Sequence, residues 1–348
     1  MRFIASYLSG FVVTFFLLWF LRPLALRIGL IDMPGERKLH ASPTPLIGGL
    51  AMFVGFAFAA LTLDISLSPF RSFFEGLVVL IVVGVLDDMH DLSSYAKFLA
   101  QIAAALFMAL WGGVSLEDLG RLSGSGTVAL GGWAIPFTVF SAVGVINALN
   151  MIDGLDGLAG SLALVALVAL SFATLHAGHG ADAHLLLIAV AVVVAFLLFN
   201  LRFSDRQPAR VFMGDSGSMF LGFILTWYVI GLSQGSGRVI APVTALWILA
   251  IPLFDAVYIM FRRMFMGLSP FAADRDHLHH LLQALGFSAV QTLLIIVTGA
   301  VALALFGLYA LYHGFSEARM FYGFLGLFAA YFVAMNLVWW RLRRSVGR

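Results

Sequence analysis

The sequence predicts an all-α polytopic membrane protein, and its composition, its hydropathy and the length of its apolar runs support that class. Of its 348 residues, 61% are hydrophobic and 11% are charged, whereas an ordinary soluble domain has about 25% charged residues. The mean hydropathy is +1.00, and apolar runs of about 20 residues, the length of a membrane-spanning helix, recur throughout the chain. Runs such as 11–20 and 185–199 are almost continuously apolar, unlike the alternating segments of a transmembrane β-barrel.

Apolar runs bounded by proline, glycine or charged residues predict about eleven transmembrane helices in a single integral-membrane domain, residues 1–348. The first run ends at Arg22 and Pro23 and lacks a small-residue cleavage pattern, so we expect a helix rather than a signal peptide. Leaving the stretch 134–176 undivided at its polar turn, 153–157, would give ten spans. The predicted spans lie near residues 3–21, 46–63, 71–86, 97–113, 134–150, 157–176, 184–201, 216–232, 242–262, 288–312 and 319–340.

The distribution of Lys and Arg predicts the orientation of these spans. One side of the bundle carries 15 of these residues and the other carries five, which together make the 20 in the chain. Because short cytoplasmic loops are enriched in Lys and Arg, we expect the basic tail at 341–348 in the cytoplasm and the N-terminus outside. Lys97 and Arg22 fit interface anchors whose charged heads reach the lipid headgroups, and the alternative is that they draw the anionic head of a lipid substrate to the interface.

Two features of the composition exclude classes of site. The chain has no cysteine, so it forms neither disulfides nor thiolate metal sites or nucleophiles. Its net charge of +2 provides no broad basic surface for nucleic acid. Any catalytic chemistry therefore depends on oxygen and nitrogen side chains.

Polar residues are concentrated at the predicted cytoplasmic ends of the helices. Carboxylates at a membrane boundary tend to be functional, although those at helix ends can simply be solvated. Acids that meet in one pocket repel each other unless a cation is present, and oxygen donors favour Mg²⁺ or Mn²⁺ over zinc. Because Mg²⁺ completes its coordination shell with phosphate oxygens, a phosphate-containing substrate is the natural complement. The polar set comprises Asp87, Asp88, Asn147, Asn150, Asp153, Asp156, Asp215, Asp255, Arg262, Arg263, Asp276, His277, His279 and His280.

Local spacing suggests how some of these residues are arranged. Asp153 and Asp156 share a helical face if their turn is helical, and Asn147 and Asn150 repeat that spacing one turn earlier. The segment 213–218 reads Met-Gly-Asp-Ser-Gly-Ser and predicts a helix start that can hold a phosphate group. The alternative interpretation is an N-cap, in which Asp215 or Ser216 satisfies the first turn.

The histidines near the end of the polar set also allow two interpretations. His277 and His280 are three residues apart and would face the same way on a helix, with His279 turned aside. A zinc site would need further ligands, and no cysteine is available. Beside Arg262 and Arg263 the imidazoles could contact phosphate or sugar hydroxyls; otherwise the segment is a solvated loop.

Five segments, in order, resemble the polyprenyl-phosphate N-acetylhexosamine-1-phosphate transferases, the superfamily of glycosyltransferase family 4. The resemblance extends from about residue 29 to 287. His277-Leu278-His279-His280 differs from the uninterrupted histidine triplet of the peptidoglycan enzyme. The resemblance is therefore greatest to the branch that transfers GlcNAc-1-phosphate from UDP-GlcNAc to undecaprenyl phosphate and initiates O-antigen and enterobacterial common antigen synthesis. The segments are 32–49, 87–88, 147–157, 211–218 and 269–280.

The resemblance implies a transferase of the bacterial inner membrane that requires Mg²⁺, with Mn²⁺ as the alternative, and releases UMP. It is compatible with a homodimer and with inhibition by tunicamycin. The implied catalytic residues are Asp87, Asp88, Asp153, Asp156, His277, His279 and His280. The implied substrate-binding residues are Lys38, Asn147, Asn150, Phe212, Arg262 and Arg263, with Phe212 stacking on uracil. The implied metal ligands are Asp215, Asn150 and Asp156.

Two alternatives to this function stay open on the sequence. The same chemistry could use another UDP-N-acetyl sugar or UDP-MurNAc-pentapeptide. A secondary transporter would also need many helices and intramembrane acids, but it would place them near helix midpoints and often repeat its two halves. The acids here lie at predicted helix ends, and we find no internal repeat.

Overall fold

The computed structural model describes residues 2–33, 43–123, 126–202, 204, 207–269 and 276–346. Thirteen helices dominate these residues, together with one two-stranded antiparallel ribbon, β1 (Ile31–Asp32) and β2 (Thr44–Pro45). The helices are α1 (Arg2–Ile28), α2 (Gly48–Leu61), α3 (Arg71–His90), α4 (Ser94–Leu106), α5 (Ala134–Ile152), α6 (Leu158–His176), α7 (Gly180–Asn200), α8 (Gly214–Gly231), α9 (Pro242–Ile248), α10 (Ala250–Phe265), α11 (Leu278–Ala284), α12 (Ala289–Tyr312) and α13 (Glu317–Val346). The prediction of an all-α polytopic membrane protein is confirmed.

Each predicted span contains a helix, but the structure does not establish the number of crossings. Within the described residues, eight helices are long and apolar enough to span a membrane, and the bent pair α9–α10 makes nine. The other two predicted spans correspond to α2 and α8. With 14 residues, α2 is about 21 Å long at 1.5 Å per residue, short of a hydrocarbon core of about 30 Å. The count of eleven therefore stays a prediction.

The prediction of one continuous helix over 242–262 is wrong. Helices α9 and α10 meet at Leu249 with a bend of 83°. Pro252 lies in the first turn of α10 and has no backbone N–H to donate to the carbonyl of Ile248, so the chain cannot continue as a regular helix there. At the other end of the chain, α13 continues to Val346, so the basic tail begins as a helical extension of the last span.

Helix α8 lies at the centre of the bundle, packed between α3, α5 and α2. All of its residues from Ser216 to Ile230 are buried. Two glycines of neighbouring helices allow its backbone to approach closely. A Cβ on Gly49 would lie 2.1 Å from the backbone nitrogen of Gly217, and one on Gly84 would lie 2.4 Å from the Cα of Ser216. The first turn of α8 is thus fixed by backbone packing on two sides.

The segment before α8 is also held by backbone hydrogen bonds to the start of α2. Gly48 N–H donates to the carbonyl of Phe212 at 3.0 Å, and Gly49 N–H donates to that of Met213 at 2.9 Å. Phe212 N–H donates to the carbonyl of Pro45 at 2.8 Å. Residues 43–49 of the first predicted segment are therefore joined to the segment 211–218 by three backbone hydrogen bonds.

We expect Gly49→Ala to destabilise the protein, because its methyl group has no room against Gly217. Overpacking of this kind costs about 3 kcal/mol, which should appear as a lower unfolding temperature of the purified protein in detergent. Gly144→Ala is the matched control, since a Cβ at Gly144 in α5 meets no atom within 4 Å. Equal unfolding temperatures for the two variants would contradict the close crossing of α2 and α8.

Candidate active site

The amino end of α8 is capped by a side chain from another helix. Asp88, near the end of α3, accepts hydrogen bonds from the Asp215 N–H at 2.7 Å and from the Ser216 N–H and hydroxyl at 3.3 and 2.7 Å. Gly214 has a φ of +72°, and a Cβ there would lie 2.5 Å from the Asp88 carboxylate. A carboxylate at this position also interacts favourably with the helix dipole. The expectation that Asp215 or Ser216 caps its own helix is wrong.

Because Asp88 provides the cap, the Asp215 carboxylate is available for other contacts. Its Oδ2 lies 2.7 Å from the Lys97 ammonium, and its Oδ1 accepts a hydrogen bond from the Asn150 amide at 2.8 Å. Asn150, on α5, also donates to the Ser218 hydroxyl at 2.9 Å. Three helices, α4, α5 and α8, thus meet at one carboxylate, which confirms the predicted proximity of Asn150 and Asp215.

Lys97 joins Asp215 to the end of α3. Its Nζ lies 3.0 Å from Oδ2 of Asp87, and Oδ1 of Asp87 accepts a hydrogen bond from the Leu92 N–H at 2.8 Å. The chain turns back between α3 and α4 through Asp91, whose φ is +51°, and this turn directs Lys97 toward the acids. The interpretation of Lys97 as an interface anchor is wrong, because its ammonium group pairs with two aspartates of the site. The sequence did not reveal the tight turn at Asp91 that brings it there.

Asn147 makes different contacts from Asn150, although both lie on α5. The Asn147 amide donates to the Gln101 side chain of α4 at 2.6 Å and to the carbonyl of Val143 at 2.8 Å. Gln101 is buried, so this contact fixes the packing of α4 against α5. The implied substrate-binding role of Asn147 stays a prediction.

The acidic turn after α5 is not helical, so the expected shared face of Asp153 and Asp156 is wrong. Helix α5 ends at Ile152 and α6 begins at Leu158. Asp156 accepts hydrogen bonds from Arg202 at 3.1 Å and from the Ala209 N–H at 3.0 Å. Asp153 instead lies among acids: burial and the charges of Asp215, Asp156 and Asp88 raise the pKa of Asp153 to about 7. The two aspartates therefore differ in their partners, although the charge of Asp156 acts on Asp153.

A buried asparagine that the sequence analysis missed connects this turn to the segment before α8. The Asn200 side chain accepts a hydrogen bond from the Gly157 N–H and donates one to the carbonyl of Val211, both at 2.9 Å. Asn200 is 3% exposed. It is the last residue of α7 and the only polar residue in the apolar run 185–200. That isolated position was the feature of the sequence that could have indicated a structural role.

The three histidines come together, but not as predicted. Helix α11 begins after His277, so the expectation of one helical face for His277 and His280 is wrong. The rings of His277 and His279 are stacked with centroids 5.6 Å apart, and those of His279 and His280 are 4.1 Å apart. His279 is not turned aside: it lies against the acidic turn, where a Cβ on Gly154 would be 2.4 Å from its Nε2.

The buried His279 ring is a candidate ligand-binding group. It is 1% exposed, and neither ring nitrogen has a hydrogen-bond partner among the described residues. Burial, followed by the charge of His280, lowers the pKa of His279 to about 3. The imidazole is therefore neutral near pH 7, with one nitrogen to donate and one to accept.

The arginines of α10 are buried and engaged within the protein. Arg262 donates to the Tyr258 hydroxyl at 2.9 Å, pairs with Asp276 at 2.9 Å and lies 5.9 Å from the ring centroid of Trp339. Arg263 is 5% exposed. Phe212 is half-buried beside the start of α8, and Lys38 lies outside the described residues. The implied substrate contacts of these residues stay predictions.

The donor atoms at the start of α8 suit an oxygen-binding cation. The Asp215 carboxylate and the Asn150 side-chain oxygen are ligands of the right type, and the raised pKa of Asp153 indicates excess negative charge in the pocket beside the Lys97 ammonium. Among the residues that the structure describes, no cluster of three or more acidic, histidine or cysteine side chains is assembled as a metal site. The residues fit a cation held jointly with a ligand, as Mg²⁺ commonly is with phosphate oxygens.

Comparisons with known proteins show the family of the chain. The family model described as Glycosyl transferase family 4 matches residues 70–233, which include α3, α5 and α8. Three relatives share the name undecaprenyl-phosphate alpha-N-acetylglucosaminyl 1-phosphate transferase. That of Haemophilus influenzae is 37% identical over 97% of this chain and 95% of its own length. Those of Escherichia coli and Pasteurella multocida are 36% identical over 98% and 99% of this chain and 93% and 96% of their own lengths.

The chain belongs to glycosyl transferase family 4, and it is a multi-pass membrane enzyme of the phosphoglycosyl transferase type. Most of the residues that carried the resemblance, from Asp87 to His280, converge in the structure at one end of the helical bundle.

We expect Lys97→Met to lower the unfolding temperature, because it leaves Asp87 and Asp215 close together without an ammonium group. Adding Asp215→Asn should restore part of the loss, with a coupling free energy of about 1–3 kcal/mol in a double-mutant cycle. Thermal unfolding of the four proteins measures this coupling. Arg22→Met, which removes an exposed cation near the same predicted membrane surface, should change little. Additive effects of Lys97→Met and Asp215→Asn would contradict the ion pair.

Proposed function

We propose that this enzyme transfers GlcNAc-1-phosphate from UDP-GlcNAc to undecaprenyl phosphate. An oxygen of the lipid phosphate forms a bond to the β-phosphorus, the bond from that phosphorus to the bridging oxygen breaks, and UMP leaves. The product is undecaprenyl-pyrophosphate-GlcNAc. Relatives of this name match almost the full chain, and the observation that carries the proposal is the Asp215 carboxylate presented at the capped start of α8.

We propose Mg²⁺, with Mn²⁺ as the alternative, as the cofactor. Asp215 would hold it, with Asn150 and Asp156 as the further ligands, and Asp153 lies close enough for its charge to contribute. When bound, the cation would offset the repulsion between the two anionic substrates. Asp156 already accepts two hydrogen bonds, so it would need to rearrange or use its other oxygen.

The side chains around Asp215 would bind and orient the substrates. Lys97 provides an ammonium group between α3 and α8, suited to attract an anionic phosphate. The neutral His279 ring can donate to a phosphate oxygen or accept from a sugar hydroxyl. Asp87 is expected to hold Lys97 rather than to remove a proton, because the second pKa of a phosphate monoester is about 6 and the lipid phosphate is already largely ionised near pH 7.

We further propose that the site faces the cytoplasm, with the protein in the bacterial inner membrane. The predicted cytoplasmic side carries 15 of the 20 Lys and Arg residues of the chain. The ends of α3 and α5 and the start of α8, which form the site, belong to that same side in the predicted topology. A cytoplasmic site matches the location of nucleotide-sugars and places the C-terminus in the cytoplasm and the N-terminus outside.

The direct test is a transfer assay with purified protein, UDP-GlcNAc and undecaprenyl phosphate. We expect equal amounts of UMP and lipid-linked GlcNAc with Mg²⁺, and neither product with EDTA. Asp215→Asn should abolish the Mg²⁺-dependent turnover, whereas Asp182→Asn, in the first turn of α7, should retain it. Turnover only with another UDP-N-acetyl sugar or UDP-MurNAc-pentapeptide would change the donor, and inactivity with all of them in a folded sample would refute the transferase.

The raised pKa of Asp153 predicts a pH dependence of metal use. With a pKa of about 7, Asp153 is mostly protonated at pH 6 and mostly ionised at pH 8, and a cation binds more tightly beside the ionised form. The Mg²⁺ concentration for half-maximal turnover should therefore fall about tenfold from pH 6 to pH 8. Asp153→Asn should make this concentration less dependent on pH. An unchanged dependence in that variant would contradict the assignment.

A further inference from the structure

A fully buried carboxylate at the edge of the site has no role in the function proposed above. Asp255 on α10 is 0% exposed. An ionised carboxylate in such a position is costly unless it is paired and hydrogen-bonded. Asp255 has three partners: His277 Nδ1 lies 2.6 Å from its Oδ2, the Leu278 N–H donates to its Oδ1 at 2.8 Å, and the Tyr331 hydroxyl donates to Oδ1 at 3.3 Å.

These contacts hold the start of the histidine segment, residues 277–280, through both a side chain and the backbone. His277 is the residue immediately before α11, with an extended backbone, and Leu278 is the first residue of the helix. The ring of His277 lies parallel, within 15°, to that of His279, which contacts Gly154 in the acidic turn. A single carboxylate on α10 thus fixes a stack of rings that leads into the site.

The pairing also places a hydrogen on one particular nitrogen of the His277 ring. A ring nitrogen facing a carboxylate at 2.6 Å carries the hydrogen, so Nδ1 is the donor. The ring orientation is then set, and Nε2 is the nitrogen on the side away from Asp255. Carboxylate–histidine pairs orient functional imidazoles in this way in metal sites and in hydrolases.

We propose that Asp255 is a positioning residue for the transfer reaction, acting through His277. The inference rests on the proposed function, because it assumes that the histidine segment contacts the nucleotide-sugar. Tyr331 extends the arrangement to α13, and the Trp339 indole of the same helix donates to the carbonyl of Asp276 at 3.3 Å. The last helix therefore supports the histidine segment from outside.

The test combines steady-state kinetics with a double-mutant cycle. Asp255→Asn keeps the shape of the side chain, but its amide can favour the other His277 tautomer. We expect kcat to fall about 10- to 100-fold, with the KM values for both substrates changing less than about threefold. Asp255→Asn combined with His277→Gln should lose no more than His277→Gln alone, because both act through one ring. Asp182→Asn, an isosteric change outside the site, is the control.

A second readout separates positioning from a structural role. The chain has no cysteine, so Leu281→Cys introduces a unique thiol at a position that is 4% exposed and packs with Tyr258, Ile259 and Met335. In that background, Asp255→Asn should leave the rate of thiol labelling unchanged while kcat falls. Faster labelling that parallels the loss of activity would mean that α11 has detached, and it would overturn the proposal.

Two kinetic outcomes would also overturn it: wild-type activity in Asp255→Asn, or losses that multiply in the double variant. Failure of the proposed function looks different, because the wild-type protein itself would then be inactive with every UDP-sugar. Measuring wild-type turnover first therefore distinguishes the two failures.

Discussion

The structure depends on hydrogen-bond acceptors for the backbone N–H groups at the buried amino end of α8. The first N–H groups of a helix have no partner within the helix, and α8 begins among α2, α3 and α5 rather than in water. Asp88 of α3 accepts the N–H groups of Asp215 and Ser216. Because Asp88 is the cap, the Asp215 carboxylate is left to contact Lys97 and Asn150. The same contact therefore satisfies the helix end and makes Asp215 available to the site.

Charge balance links that arrangement to the proposed chemistry. Lys97 compensates Asp87 and Asp215, whereas Asp153 lies near other acids with a raised pKa. Such a site is suited to a divalent cation that arrives with a diphosphate, because each component offsets the charge of the others. The histidine segment adds a neutral, buried ring against the same acidic turn. The geometry thus favours phosphoryl transfer governed by positioning and charge rather than by proton abstraction.

The sequence predicted what local patterns determine. Hydropathy located a helix in every predicted span, and the resemblance in the ordered motifs predicted that Asn150 lies near Asp215. It did not predict contacts made by tertiary packing: Lys97 reaches the acids because of the turn at Asp91. The hydrogen bonds of Asn200 likewise connect the turn at Gly157 to Val211, which lies in a different segment of the chain. The break at Leu249 had a local cause in Pro252, but the continuous hydropathy of that run concealed it.

The central claim is that Asp215, presented at the capped start of α8, binds the cation that accompanies the nucleotide-sugar. The most direct measurement is anomalous diffraction from crystals of the protein grown with Mn²⁺ and UDP-GlcNAc. The account predicts a single strong Mn²⁺ peak in contact with the Asp215 carboxylate. A peak at the histidines 277–280 instead, with none beside the start of α8, would contradict it.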